Sequence, residues 1–492
     1  MSSPTLNLYT PAQVRKLDRL AIDEHGVSGY TLMQRAARAA LQDLHRLWPR
    51  ATRLTIVCGP GNNGGDGFLL GALALQQGLQ VQIVALSEQS SGDAAQARED
   101  FLSAGGEIRQ AQAGRPLPPA DVHVDALFGS GFDRAAEGLA AELIDRLNGV
   151  NAPVLAIDVP SGLQADTGRM LGECVRADAT ICLVAWKQGL FTGQGADCCG
   201  QLSLARLGLP DALYDKVAAS ARLLQVECLP PRQHDSHKGR YGHVLVIGGD
   251  SGFGGAVRLA GEAALRCGAG LVSVATRGSH VAPLLAARPE LMVHAIGDDG
   301  VNSALLERAG VLVAGPGLGQ DDWGRCLFAQ AMAAEQPMVL DADGLNLLAC
   351  HNQEFAGRAV VLTPHPGEAA RLLGSDTAAV QADRFAAARE LACRYRCVVV
   401  LKGAGSLIAN ADGEVGVCPW GNPGMASGGM GDVLSGVIGA LMAQGLDAWR
   451  AACLGTGLHS RAGDRAALQG QRGMLASDLL PALRSLLVPG HD

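Results

Sequence analysis

Three segments in the first half of this 492-residue chain set acids, amides or a hydroxyl beside glycine. That combination lets backbone N–H groups and polar side chains close together on one small ligand. The segments are Gly59-Pro60-Gly61-Asn62-Asn63-Gly64-Gly65-Asp66-Gly67, Asp125-Ala126-Leu127-Phe128-Gly129-Ser130-Gly131-Phe132 and Asp158-Val159-Pro160-Ser161-Gly162. The first is neither GxGxxG nor a P-loop, which would end in Gly-Lys-Ser/Thr. Taken singly it also reads as a tight turn, and a lone Asp after a strand also reads as a cap or loop anchor. Taken together they favour a ligand site, with Asn62, Asp66 and Asp158 as its polar cluster.

The second half repeats the theme with different residues. Glycine turns occur at Gly248-Gly249-Asp250-Ser251-Gly252 and Gly315-Pro316-Gly317-Leu318-Gly319, and acids or histidine at Asp341-Ala342-Asp343 and Thr363-Pro364-His365-Pro366-Gly367-Glu368. The most specific segment runs from Gly421 through Asn422-Pro423-Gly424-Met425 and Gly428-Gly429-Met430-Gly431-Asp432 to Gly436. Its consecutive N–H groups can form an anion hole for a transferred phosphate, and Asp432 can accept a hydroxyl proton. Lys402-Gly403-Ala404-Gly405-Ser406 supplies a cation and donors for nucleotide phosphates. The chain holds five lysines against thirty-five arginines, so Lys238 and Lys402 stand out within glycine motifs. The plainer alternatives are Asp432 as a helix cap and His365 as a structural residue.

Such chemistry needs a frame that brings distant segments together. Runs 54–58, 81–84, 122–125 and 154–157 read as buried strands, with helices over 11–25, 31–48 and 68–77 and helical patterns after 92 and 135. This alternation predicts a parallel sheet covered by helices, whose strand ends converge on one crevice. It restarts at 243–247, followed by a helix over 256–267 and strands at 311–313, 338–340, 360–362 and 398–401. Prolines 210, 230 and 231 and the polar run 232–237 interrupt it. Two distinct α/β domains, 1–215 and 225–490, are therefore expected, with no internal repeat.

Composition narrows the class. The 65 glycines are about 13% of the chain, against a usual ~7%, and show no Gly-X-Y period. A chain that is 48% hydrophobic and 18% charged, without a long apolar run, is expected to be globular, with no membrane span. Net charge is −8 with no basic face, which argues against a nucleic-acid partner. Thirteen scattered cysteines without a CxxC pair are expected to be reduced thiols in the cytoplasm. The first ten residues lack the basic and apolar regions of a leader, and the last six carry no lipidation signal.

The first-half motifs, together with Leu32-Met33-Gln34-Arg35-Ala36, resemble the NAD(P)H-hydrate epimerase (YjeF N-terminal) family, with a Rossmann-like three-layer αβα sheet. The resemblance implies that Asn62, Asn63, Gly64, Gly65 and Asp66, the stretch Gly129, Ser130, Gly131, Phe132, Asp133, Arg134 and Ala135, and Asp158 hold a hydrated nicotinamide nucleotide. It further implies that Asn63, Asp125 and Ser161 ligate potassium (K+) and that Asp158 transfers protons while R and S epimers interconvert at ring carbon C6.

The second half resembles the ADP-dependent NAD(P)H-hydrate dehydratase (YjeF C-terminal) family, of ribokinase-like fold. Here the resemblance implies that Lys402, Gly403, Ala404, Gly405, Ser406 and Gly431 contact an adenine nucleotide, and that Ala256, Gly317, His365 and Asp432 contact the hydrated cofactor. A phosphoanhydride of ADP, or alternatively ATP, with Mg2+, would be spent to expel the ring hydroxyl as water. The implied whole is a bifunctional repair enzyme acting on NADHX and NADPHX, and either unit is compatible with a homo-oligomer. The competing readings are a ribokinase-like small-molecule kinase fused to a ligand-binding domain, and a first half that binds without catalysis.

Overall fold

The computed structural model describes residues 6–227, 229–351 and 353–487, so parts of the two chain ends considered above lie outside it. The chain divides into two units between Arg222 and Leu223.

In the first unit every strand of the main sheet runs parallel, in the order Ile108–Gln110, Gln80–Ala85, Arg53–Cys58, Val122–Ala126, Val154–Ile157, Ala179–Leu183, Gln201–Ala205. The order reverses between Arg53–Cys58 and Val122–Ala126, the place where a crevice opens beyond the strand ends. Two of the three glycine segments leave the sheet there. The helix Pro11–His25 begins in a reciprocal cap, with Gln13 N–H donating to Thr10 Oγ1 at 3.2 Å and Thr10 N–H to Gln13 Oε1 at 2.8 Å.

One expected turn is instead helical. The helix predicted from residue 68 begins at Asn62, inside the glycine segment. The glycines press it against the sheet: a methyl on Gly64 would lie 1.9 Å from Gly59 O, and one on Gly67 would lie 2.7 Å from Ala126 Cβ. Strands Ala179–Leu183 and Gln201–Ala205 went unpredicted because their Ala, Thr, Ser and Cys content weakens the apolar pattern, and pairing within the sheet decides their state.

The second unit's sheet has the order Met292–Ala295, Leu271–Thr276, His243–Ile247, Val311–Ala314, Met338–Leu340, Val360–Leu362, Val398–Leu401, all parallel, continuing into antiparallel Leu407–Ala409 and Val415–Val417. Its switch point lies between His243–Ile247 and Val311–Ala314, at the turns holding Gly248 and Gly315. Helices Gly254–Arg266 and Met430–Ala443 pack so closely that a methyl on Gly436 would meet Ala260 O at 2.0 Å.

Gly436→Ala should therefore destabilise the second unit by about 1–3 kcal/mol through overpacking, read as a lower thermal midpoint in calorimetry. Gly255→Ala, where a methyl meets nothing within 4 Å, should be neutral or stabilising. Equal midpoints for the two variants would mean that the helices have slack.

Candidate active sites in the two units

Asp158 follows the strand Val154–Ile157 with φ at 68°, a left-handed conformation that strains a residue with a side chain. The strain is held by its N–H, which donates to Ile181 O at 2.8 Å. Its carboxylate accepts from Ser130 N–H at 2.9 Å and Leu183 N–H at 3.4 Å, and forms a buried ion pair with Lys187. Lys187, 1% exposed, also donates to Leu183 O at 2.6 Å. Burial pushes the Asp158 carboxyl up, but the adjacent ammonium and the Ser130 hydrogen bond more than offset this and hold it below the usual range. Burial alone would lower Lys187; the Asp158 charge instead raises it, so the pair stays ionised.

Beside this pair, Asp125 accepts from Ser161 N–H at 2.8 Å and Ser161 Oγ–H at 2.7 Å, while Ser161 Oγ accepts from Phe128 N–H at 2.9 Å. All of these donors are neutral, and burial raises Asp125 to about 6. Asn63 is buried with neither amide atom hydrogen-bonded, and a methyl on Gly129 would come within 3.4 Å of Asn63 and 3.2 Å of Asp158 Oδ2. Glycine is what lets those two side chains approach across the loop.

A cavity of about 660 Å³ opens above these residues. It brings together Asn62, Asn63, Asp66, Gly129, Ser130, Gly131, Phe132, Arg134 and Asp158. Gly64 and Gly65 are buried within the helix, Asp133 and Ala135 are exposed outside the cavity lining, and Asp125 and Ser161 lie buried outside it. Two further wall residues, Asp18 and Lys187, were not anticipated from sequence. Lysine scarcity was a usable signal for Lys187; Asp18 sits mid-helix with no motif around it.

In the second unit Asp341, directly after the strand Met338–Leu340, pairs with Lys402 Nζ at 2.9 Å, and Glu368 Oε2 lies 3.7 Å from the same ammonium. Lys402 follows Val398–Leu401, whose end is fixed by buried Arg384 donating to the carbonyls of Leu401 at 3.2 Å and Lys402 at 3.3 Å. A methyl on Gly431 would lie 3.1 Å from Lys402 Nζ and 3.3 Å from Asp341 Oδ2, so the glycine loop and the pair meet at one point.

Asp432 is in the first turn of Met430–Ala443, but Gly429 is the N-cap and no side chain caps it, which removes the capping role for Asp432. Burial, then the Asp341 charge, raise Asp432 to about 7, with Lys402 opposing. Glu368 likewise rises to about 7, through burial first. His365 does have a structural role: its Nδ1 accepts from Gly367 N–H at 3.0 Å and Glu368 N–H at 3.3 Å, capping Pro366–Leu373, while Nε2 lies 3.4 Å from Glu368 Oε1. Ala256 and Gly317 are neighbours, a methyl on Gly317 falling 3.3 Å from Ala256 Cβ. Asp464 anchors the glycine loop by accepting from Gly421 N–H and Asn422 Nδ2, both at 3.0 Å.

Two α/β units, each with a lysine clamped to a buried acid at a strand end beside glycine loops, define a two-site enzyme of the nucleotide-handling α/β class. Residues 29–189 match the family described as YjeF-related protein N-terminus, and residues 244–484 match that described as NAD(P)H-hydrate dehydratase. The chain is 47% identical to the bifunctional NAD(P)H-hydrate repair enzyme Nnr of Coxiella burnetii, over 98% of this chain and 99% of that one. It is 46% identical to the Escherichia coli enzyme of the same name, over 97% and 93%. A ribokinase-like superfamily protein from Enterococcus faecalis superposes with TM-score 0.50 at 31% identity, over 55% of this chain and 95% of that one. The chain belongs to the bifunctional NAD(P)H-hydrate repair enzymes, an epimerase domain followed by a dehydratase domain, and the fused-kinase reading is set aside.

Lys187→Met should cost about 3–5 kcal/mol, because it leaves the Asp158 charge buried and unpaired. The double variant Lys187→Met/Asp158→Asn should regain much of that loss in thermal denaturation. A single variant as stable as the parent would show that the pair carries no buried charge.

Proposed function

We propose that residues 1–215 epimerise the R and S hydrates of NADH and NADPH at C6, and that residues 225–490 dehydrate the S form at the expense of ADP, giving AMP and phosphate. ATP is the alternative donor. Free thiols at the described cysteines are compatible with work in the reducing cytoplasm, and among the described residues no helix is long and apolar enough to cross a membrane.

At the first site C6 carries a hydroxyl next to the ring nitrogen. The nitrogen lone pair forms N1=C6 as the C6–O bond breaks, and the departing oxygen takes a proton to leave as water. A water then adds to the other face and gives up a proton. Asp158, kept ionised by Lys187, is the acceptor for that proton. Asn63 Oδ1, Asp125 and Ser161 Oγ would hold potassium. The fit rests on a buried carboxylate contacted only by neutral donors and on a buried amide oxygen with no partner, hard oxygen ligands that suit such an ion. When bound, potassium supplies the positive charge that this carboxylate lacks.

At the second site the observation that carries the reading is Asp432, raised to about 7 beside the Lys402–Asp341 pair, in the first turn of the helix that the glycine loop leads into. Asp432 takes the ring hydroxyl proton as that oxygen bonds to the terminal phosphorus and the anhydride bond breaks to release AMP. The phosphate then leaves C6, pushed by the ring nitrogen lone pair, and C5 gives up a proton to form the C5=C6 bond, with Lys402 and the loop N–H groups holding the phosphate charge. Magnesium would arrive on the nucleotide phosphates and neutralise their charge. Among the described residues no cluster of three His, Cys, Asp or Glu side chains forms a cage of its own.

Asp432→Ala should abolish nucleotide-dependent recovery of NADH from the S hydrate and spare interconversion of R and S, followed by chromatography of the epimers. In the parent, the S-hydrate rate should rise with pH through about 7, because the acceptor works only as the carboxylate. Loss of both activities in a folded variant, or a rate independent of pH from about 6 to about 8, would contradict this assignment.

A further inference from the structure

Interconverting two faces of one carbon asks for a proton donor and a proton acceptor, and Asp158 fills only one of these roles. The second acid must come from another wall of the same cavity. Asp18, on the helix Pro11–His25, lines the same cavity as Asp158, Lys187 and Asn63. Its Oδ1 is buried and has no hydrogen-bond partner. A carboxylate oxygen withdrawn from water and left without a donor is costly, and the cost is relieved if the group carries a proton or meets a ligand.

We propose that Asp18 is a second catalytic carboxylate of the epimerase, delivering a proton to the C6 oxygen from the helix wall while Asp158 serves from the sheet wall. This rests on the reading of Asp158 given above. As the C6–O bond breaks toward the ring nitrogen, the Asp18 proton passes to the departing oxygen, which leaves as water. The water that adds to the opposite face loses its proton to Asp158, and the proton returns to Asp18 through solvent. The step consumes one water for each released, and the two carboxyls exchange roles for the reverse epimer.

The surroundings support this division of labour. The charged and titratable groups facing Asp18 are Lys187, Asp158 and Asp66, with Arg15, Asp93 and Arg134 elsewhere on the cavity lining and Tyr214 behind. Burial raises Asp18 to about 6, against the pull of Lys187, whereas Asp158 is held low. Two carboxyls pushed in opposite directions at one site are the arrangement that separates an acid from a base.

The test feeds pure R or pure S hydrate to the full-length protein with ADP, Mg2+ and K+. Only R needs epimerisation before NADH appears, so S recovery reports the second domain in the same sample. Asp18→Asn should lower kcat for R by about 100-fold or more with KM little changed, in the range of a lost general acid, and leave S recovery intact. Asp18→Glu should restore more than a tenth of the parent rate. An R rate within three-fold of the parent, or a change in KM alone, overturns the proposal. If Asp18→Asn also slows S recovery, Asp18→Glu decides: under a hundredth of the parent R rate with normal S recovery counts against a proton-transfer role. Asp158→Asn is run alongside, and a fully active Asp158→Asn with an inactive Asp18→Asn would unseat Asp158 rather than Asp18.

Discussion

Both candidate sites are built around one interaction: a lysine ammonium set against a buried carboxylate at the end of a parallel strand. In the first unit this is Lys187 with Asp158, in the second Lys402 with Asp341. A buried pair of this kind is weak evidence of stability, since desolvating two charges can cost as much as their attraction returns. Its value here is chemical. Lys187 keeps Asp158 ionised, and Lys402 partly offsets the burial and the Asp341 charge that raise Asp432 toward neutrality. The lysine thus decides the ionised state of Asp158, whereas burial and Asp341 decide that of Asp432 and Lys402 only opposes them.

The pairs work only because the backbone around them can come unusually close. Methyl groups on Gly59 and Gly315 would each fall 1.9 Å from a carbonyl oxygen, so the turns at the two switch points have no room for a side chain. At Gly129 and Gly431 the missing side chain instead opens the approach to Asn63 and Asp158 and to Lys402 and Asp341. The glycine excess therefore has two uses, closing the fold behind the site and leaving space in front of it.

The alternation of apolar runs was enough to read both parallel sheets, because buried parallel strands are continuous apolar stretches. It was not enough for Ala179–Leu183 or for the start of the helix at Asn62, where pairing and close packing override local pattern. Motifs led to Asp158, Lys402 and Asp432, since glycine around an acid or a lysine is visible in one dimension. Asp18 and Lys187 were invisible in that way. Asp18 is one acid on an amphipathic helix, and it becomes part of a site only when that helix is laid beside the strand ends. Glu368 looked like part of a His-Pro-Gly-Glu turn; its place beside Lys402 needed the sheet to bring two strand ends together.

The claim that each site needs its lysine is tested most directly by recovery of reduced-nicotinamide absorbance from an equal mixture of the two NADHX epimers, with ADP, Mg2+ and K+ and over times shorter than uncatalysed exchange. Parent protein should restore all of the absorbance, Lys187→Met should stop near half, and Lys402→Met should restore none. Complete recovery by Lys187→Met, or recovery by Lys402→Met at the parent rate, would contradict it.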